Sequence, residues 1–264
     1  MNEVNKTLFI PLYGKAKVSR QGIIIQDTVA EKIWEAEGFE VRGKSKSKWL
    51  TYNMAMRAKV FDEWTERMLS QNPDALVLHV GCGLDSRAFR INVPYTNWID
   101  GDFPDVIEIR RKYYSESGRY RMMPLDASVP GAVENLPDAG TAIVILEGIS
   151  MYLRHEELNS FLKEVGNKYP SVHLLMDAYT EFGARASKYK NPVNDIGVTK
   201  VWGVDDIQAL LNSTGLTCRT EHSLTPRKMA DELPDFDRLV FSLLYTGSFY
   251  RKIYRLYEIE SRGS

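Results

Sequence analysis

Two glycines and a pair of carboxylates stand at spacings that suit nucleotide chemistry. Gly81-Cys-Gly83 ends the apolar run Ala75 to Val80, and Asp85 follows within the same turn. Without Cβ atoms, glycines there let the backbone turn with positive φ and approach a ligand lying across a strand end. Asp102, about 20 residues on at the end of a strand-like run from Thr96, stands where a carboxylate grips both hydroxyls of a ribose. A dinucleotide fingerprint would need a third glycine at position 86, and Ser86 occupies it. Asp85 is a poor neighbour for phosphate but suits a ligand carrying positive charge, an ammonium or a sulfonium. Glycine turn and strand-end acid together point to S-adenosylmethionine (SAM), with S-adenosylhomocysteine (SAH) as product.

Three further positions bear on that ligand. Arg57 lies on the apolar stripe Leu50, Met54, Phe61, Trp64 and Met68 of a helix expected from Lys48 to Ser70. A buried guanidinium needs an anion beside it. A protein carboxylate would serve, or the side chain could snorkel; in a SAM-binding fold the methionine carboxylate is the anion to expect. Glu147 closes the apolar run Thr141 to Leu146, with Ser150, Met151, Tyr152 and Leu153 along the same rim. Glu147 and Tyr152 are therefore the candidates for positioning the reacting centre. Asp126 ends a run from Arg119 to Leu125, where an adenine edge would lie; an N-cap for the next segment explains it equally.

The elements that must hold these residues read as a doubly wound α/β sheet, with Thr141–Leu146 beside Ala75–Val80 and a crevice at the switch point. Residues 1–70 read as a helical cap. In it Pro11-Leu-Tyr-Gly14 is expected to turn and Asp27 to cap a helix, while Lys44, Lys46 and Lys48 mark a solvated loop or a lid. The core is expected over 71–260. Within it come helices at Ala88–Val93, Phe103–Glu116 and His155–Tyr169, a strand at Val172–Met176, and a substrate-covering insertion around 179–203. A short helix to Ser213, a strand Leu216–Leu224 and a helix from Asp235 follow, and Lys252–Glu260 either continues that helix or, the favoured reading, forms a closing antiparallel strand, since periodicity does not separate the two. Ser261–Ser264 reads as a tag remnant outside the fold.

Lys and Arg number 34 against 35 Asp and Glu, for a net charge of −1, which disfavours nucleic acid and anionic membranes as partners. No apolar run approaches the roughly 20 residues of a membrane span. Cys82 and Cys218 make no disulfide framework, so a cytoplasmic protein is expected. His79 and Cys82 are too few for a zinc site, and no metal is expected.

Val80-Gly-Cys-Gly-Leu-Asp-Ser-Arg87, Trp98-Ile-Asp-Gly-Asp-Phe-Pro104 and Leu146-Glu-Gly-Ile-Ser-Met-Tyr-Leu153, with Thr7-Leu-Phe-Ile-Pro-Leu-Tyr-Gly14, resemble the leucine carboxyl methyltransferase family. The similarity is greatest to its bacterial branch of polyketide-tailoring O-methyltransferases. That resemblance implies a class I SAM-dependent methyltransferase: a Rossmann-like, mostly parallel seven-stranded sheet with an N-terminal helical cap. Carried over by position, it implies that Arg57 takes the methionine carboxylate and that Gly81 and Gly83 lie against the cofactor. It further implies that Asp102 binds the ribose, Asp126 and Ala127 bound the adenine, and Glu147 lies near the methionine amine and the reacting centre. Lys15 is a further contact by looser alignment. Gly101 departs from the family pattern, which leaves Asp100 competing with Asp102 for the ribose.

Methyl transfer is an in-line displacement governed by positioning. A carboxylic acid acceptor of pKa near ~4 is ionised at pH 7 and needs no base, whereas a phenol near ~10 does. His155 is the best-placed histidine, and the start of a helix explains it as well. The expected acceptor is thus a small-molecule carboxylate such as a polyketide-type acid. A phenol or hydroxyl, or a protein's C-terminal carboxylate, is the alternative, and a silent SAM-binding subunit the non-enzymatic one. NAD-dependent oxidoreduction is weakened by Ser86. Base methylation is weakened too, because Glu147-Gly-Ile-Ser150 replaces an Asn/Asp-Pro-Pro-aromatic motif.

Overall fold

The computed structural model describes residues 3–38, 47–190 and 201–262. Helices α1 (Glu3–Arg20), α2 (Thr28–Glu37) and α3 (Lys48–Gln71) precede the first strand. Asp27 caps α2 as expected, accepting from the Ala30 amide at 2.9 Å. The expected turn at Pro11–Gly14 is instead helix, with Pro11 inside α1. An interior proline costs a helix roughly 3 kcal/mol, and the burial of Phe9, Leu12 and Ala16 offsets it. Gly14 serves the packing of α1 on α3: a Cβ there would lie 3.1 Å from Met54 Cβ.

From β1 (Leu76–Val80) the chain runs through α4 (Arg87–Arg90), β2 (Asn97–Asp102), α5 (Pro104–Arg110), β3 (Tyr120–Pro124) and β4 (Thr141–Leu146). A 3-10 turn at Ser150–Tyr152 leads to α6 (His155–Lys168), β5 (Ser171–Tyr179), α7 (Glu181–Lys190), α8 (Ile207–Leu210) and β6 (Leu216–His222). Last come α9 (Arg227–Ala230), α10 (Asp235–Leu244), α11 (Gly247–Arg251) and β7 (Tyr254–Ser261). The seven strands lie in the order β3-β2-β1-β4-β5-β7-β6. All are parallel except β7, which inserts antiparallel between β5 and β6.

The apolar strands β1 and β4 are buried on both faces, as a parallel sheet flanked by helices requires. One face packs on Leu158, Phe161, Leu162 and Val165 of α6, the other on Phe61, Trp64 and Met68 of α3. The stripe on α3 thus divides: its C-terminal part enters the core, while half-buried Leu50 and Met54 turn toward the ligand crevice.

Several boundaries move. The helix expected to reach Glu116 stops at Arg110, whose guanidinium is drawn to Asp100. β5 runs past Met176 to Tyr179, which brings Asp177 into the sheet. Ser261 and Arg262, expected outside the fold, are bonded into it: Val172 N donates to Ser261 Oγ at 2.8 Å and Arg262 N to Gly215 O at 2.9 Å. Lys44 and Lys46 lie outside the described residues, as do 191–200 of the insertion, whereas Lys48 opens α3 and pairs with Asp237 at 2.6 Å. Cys82 and Cys218 are free thiols, and no described helix is long and apolar enough to cross a membrane.

Candidate active site

Strand register brings three sequence-distant residues to one level. Val80 is paired with both Gly101 and Leu146, so Gly81, Asp102 and Glu147 end β1, β2 and β4 side by side. A cavity of ≈ 580 Å³ opens there. The strand ends form its floor, with Leu125, Asp126 and Ala127 beyond β3; α1, α3, α7 and Ile253–Tyr254 form its roof.

The glycine turn is tied down from below. Gly101 O accepts from the amides of Gly81 and Cys82 at 2.8 and 3.2 Å. Gly81 and Gly83 have φ of +66° and +51°, a region that side-chain-bearing residues avoid. At Gly81 there is also no room: a Cβ would fall 2.1 Å from Ile149 Cγ2. The glycine therefore accommodates the rim after β4 as well as any ligand.

Asp102 accepts from Gly83 N at 2.7 Å through Oδ2 and from Phe103 N at 2.8 Å through Oδ1. Burial lifts its carboxyl above the ordinary value against the effect of those amides. Asp100, one pleat deeper, is fully buried and lies outside the cavity wall. It accepts from Trp98 Nε1 at 2.8 Å and Tyr120 OH at 2.6 Å and pairs with Arg110. Asp102 is therefore the strand-end acid that meets the cavity. Gly101 makes way for Leu125, whose Cβ would stand 3.0 Å from a Cβ there.

The remaining charge forms one buried cluster. Arg57 donates through Nε to Glu147 Oε1 at 3.0 Å, and through Nη1 to Asp177 Oδ2 at 3.1 Å and Tyr254 OH at 3.2 Å. Glu147 Oε2 accepts from Arg87, whose Nε reaches Asp62 Oδ1 at 2.7 Å. Arg90 bridges Asp62, Asp27 and Asp85, and Lys15 pairs with Asp85. Burial opposes ionisation of Glu147, but Arg87 and Arg57 outweigh it and hold its carboxyl down to about 2. Burial likewise opposes Asp85, and Arg90, Lys15 and Arg87 hold it well below the carboxylate range. Asp177 goes the other way: burial raises it more than Arg57 lowers it.

Residues 12–166 match the leucine carboxyl methyltransferase family over more than half the chain. The chain belongs to that family. It is 35% identical over 212 residues to the tetracenomycin polyketide synthesis O-methyltransferase TcmP of Streptomyces glaucescens, covering 78% of this chain and 77% of the relative. It is 27% identical over 230 residues to the S-adenosyl-L-methionine-dependent methyltransferase dpfgK of Gibberella zeae, covering 78% and 76%. Among solved structures, magnesium protoporphyrin IX methyltransferase of Synechocystis with bound SAH superposes with a TM-score of 0.51 at 12% identity. It covers 89% of this chain and 95% of its own, and at that identity it speaks for the fold alone. The protein is thus a SAM-dependent methyltransferase with the class I fold expected from its sequence.

In this methyltransferase Lys15, Arg57, Gly81, Gly83, Asp102, Asp126, Ala127, Glu147 and Tyr152 all line that cavity. One reading needs correction. Asp85 is not an open carboxylate awaiting a cation, because Lys15 and Arg90 already neutralise it. Asp126 lines the cavity and also makes the bonds that the capping alternative expects, accepting from Ser128 N at 2.8 Å and Ser128 Oγ at 2.6 Å through Oδ1. His155 stands outside the cavity wall, its Nε2 2.6 Å from Gly203 O, so its place at the start of α6 accounts for it. Asp177 and Tyr254 were missed. Asp177 carried the signal that marked Asp102 and Glu147, an acid at the end of an apolar strand, but ending that strand at Met176 passed it over.

Proposed function

We propose that this methyltransferase esterifies a carboxylate of a small-molecule acceptor, and that the cavity wall holds SAM as follows. Arg57 spends Nε and Nη1 on Glu147, Asp177 and Tyr254, while Nη2 makes no hydrogen bond to a described residue. That edge is the donor for the methionine carboxylate. Gly148, at φ +73°, leaves it accessible: a Cβ there would sit 3.1 Å from Nη2. Glu147 receives the methionine ammonium. Asp102, with one amide on each oxygen, keeps lone pairs for the two ribose hydroxyls. Gly81 and Gly83 give the backbone its close approach, and Asp126 and Ala127 bound the adenine. Tyr152, with Met151, shapes the acceptor side.

The observation that carries the choice of acceptor is the state of the bases on the described wall. Asp85 and Glu147 are engaged by cations, Asp102 by backbone amides, Asp126 by Ser128, and His79 lies 3.3 Å from Arg87 Nη1. Burial raises Tyr254 and Cys82 well above their ordinary values. A phenol would find no group poised to take its proton, and a carboxylate needs none. When bound, SAM supplies a methyl on a sulfonium. The carboxylate oxygen forms its bond to that carbon as the carbon–sulfur pair returns to sulfur, giving an ester and SAH with no proton moved. The relative's name, an O-methyltransferase of polyketide synthesis, supports an oxygen acceptor on a small molecule.

Single-turnover methyl transfer over a panel of carboxylic acids, phenols and a peptide ending in leucine tests this. Turnover of an acid is expected, with a rate flat from about pH 6 to 9 because an acid of pKa near ~4 stays ionised, and His155→Ala should leave it unchanged. A rate climbing log-linearly across that window, or turnover confined to phenols, overturns the carboxylate reading. Turnover confined to the peptide overturns the small-molecule one.

A further inference from the structure

Asp177 is fully buried and lies outside the cavity wall, yet it touches the groups that shape the cavity's charged side. Met176 pairs with Leu146 across β5 and β4, so Asp177 stands level with Glu147 on the neighbouring strand. Its Oδ1 accepts from Gly148 N at 2.7 Å, which pins the turn that leaves Glu147. Its Oδ2 accepts from Tyr254 OH at 2.7 Å and Arg57 Nη1 at 3.1 Å. Its backbone carbonyl accepts from Ser150 Oγ, at the start of the rim that carries Tyr152.

Stability alone does not call for this arrangement, since well-packed apolar side chains replace buried ion pairs without loss in many proteins. Orientation does. A guanidinium is planar with its donors in a fixed fork, so fixing two of its nitrogens fixes the third. Glu147 holds Nε and Asp177 with Tyr254 holds Nη1, which leaves Nη2 beside Gly148 as the one donor nitrogen without a described partner. With Glu147 alone, the group could pivot about the single Nε contact and carry Nη2 off its line.

We propose that Asp177 is a positioning residue for the cofactor: it sets the roll of the Arg57 guanidinium so that Nη2 meets the methionine carboxylate. This rests on the reading of Arg57 given above. The arrangement acts only on the amino-acid end of the cofactor, because Asp177 touches neither Asp102 nor the adenine-side residues.

Calorimetric titration with SAH and with 5′-methylthioadenosine, which lacks the amino-acid end, separates positioning from general support. Asp177→Asn keeps the side-chain shape but turns an NH2 toward donors. It should weaken SAH by about ten- to a hundredfold, the range for losing one charge-assisted hydrogen bond, and leave 5′-methylthioadenosine binding unchanged. Asp177→Glu, which restores the charge, should recover part of the SAH affinity, and kcat at saturating SAM should change less than KM for SAM. Equal weakening of both ligands, or of neither, overturns the proposal. If Asp177→Asn does not fold, Tyr254→Phe removes the second hydrogen bond on Arg57 Nη1 and should give a smaller loss confined to SAH; an unselective effect or none overturns the proposal there too. Arg57→Ala separates the two layers. If it also fails to discriminate the ligands, the Arg57 reading falls and this one with it; if it discriminates and Asp177→Asn does not, only the role of Asp177 falls.

Discussion

Replacing Glu147 with Gln removes one negative charge from between two buried arginines. The Glu147 side chain is 8% exposed and is held by Arg57 and Arg87. Its carboxyl lies at about 2 against an ordinary 4.5. Holding the carboxyl there rather than at its ordinary value corresponds to about 3 kcal/mol of folding stability. The sign follows from the depressed folded value: the contribution is fully present above pH 4.5 and lost as pH falls through about 2. At about pH 3.5 the unfolded state has taken up most of a proton and the folded state almost none, so roughly 2 kcal/mol remains. Urea unfolding of the wild type and Glu147→Gln should therefore differ by about 3 kcal/mol at pH 7 and by roughly 2 kcal/mol at about pH 3.5. In thermal melts at pH 7 the gap corresponds to roughly 6 to 12 °C for a chain of this size. A gap under about 1 kcal/mol at pH 7, the worth of an exposed pair, would refute the reasoning. So would a gap that ignores pH, since the amide stands in for a protonated acid.

The two aspartates of β2 should separate cleanly. Asp100→Asn leaves Arg110 buried without its partner and should cost about 3 to 5 kcal/mol of stability, with SAM affinity of the folded protein unchanged by calorimetry. Asp102→Asn should weaken SAM and also lower the melting temperature, because an amide cannot accept on both sides from Gly83 and Phe103; loss of SAM affinity in the Asp100 variant alone would reverse the assignment. Gly81→Ala combines a left-handed φ with a Cβ 2.1 Å from Ile149 Cγ2, so destabilisation beyond about 2 kcal/mol is expected in urea. Ile149→Ala in the same chain should return part of it, and no recovery would show that the strain lies in the backbone alone.

Much of the sheet was legible because buried parallel strands are continuous apolar runs ended by glycine or acid, and β1 and β4 carry that signature. The closing strand was harder. Tyr254 to Ser261 alternates apolar and polar residues no more clearly than it follows a helical period, and only its place between β5 and β6 decides it. Pro11 misled because local rules for proline hold until tertiary burial outweighs them, as Phe9, Leu12 and Ala16 do in α1. At the site, Arg57, Asp102 and Glu147 were legible from stripe and strand-end position. Their partners were not, because Asp62, Arg87, Arg90 and Asp177 come together only through the packing of α3, α4 and the sheet.

Asp85 shows what a single residue's charge conceals. Read alone, a carboxylate in a glycine turn asks for a positive ligand; read alone, Arg57 asks for a negative one. In the fold Lys15, Arg57, Arg87 and Arg90 face Asp27, Asp62, Asp85, Glu147 and Asp177, so the cluster is nearly balanced in charge while the Nη2 edge of Arg57 has no described partner. A simple anion entering such a cluster would add one uncompensated buried charge, and a simple cation would leave Arg57 Nη2 facing no acceptor. A zwitterion brings both signs. Under the proposed reading its carboxylate takes the open edge of Arg57 while its ammonium meets Glu147, the carboxylate that two arginines keep ionised. The balance of the cluster is then unchanged by binding, which suits this wall to the amino-acid end of SAM better than to a phosphate.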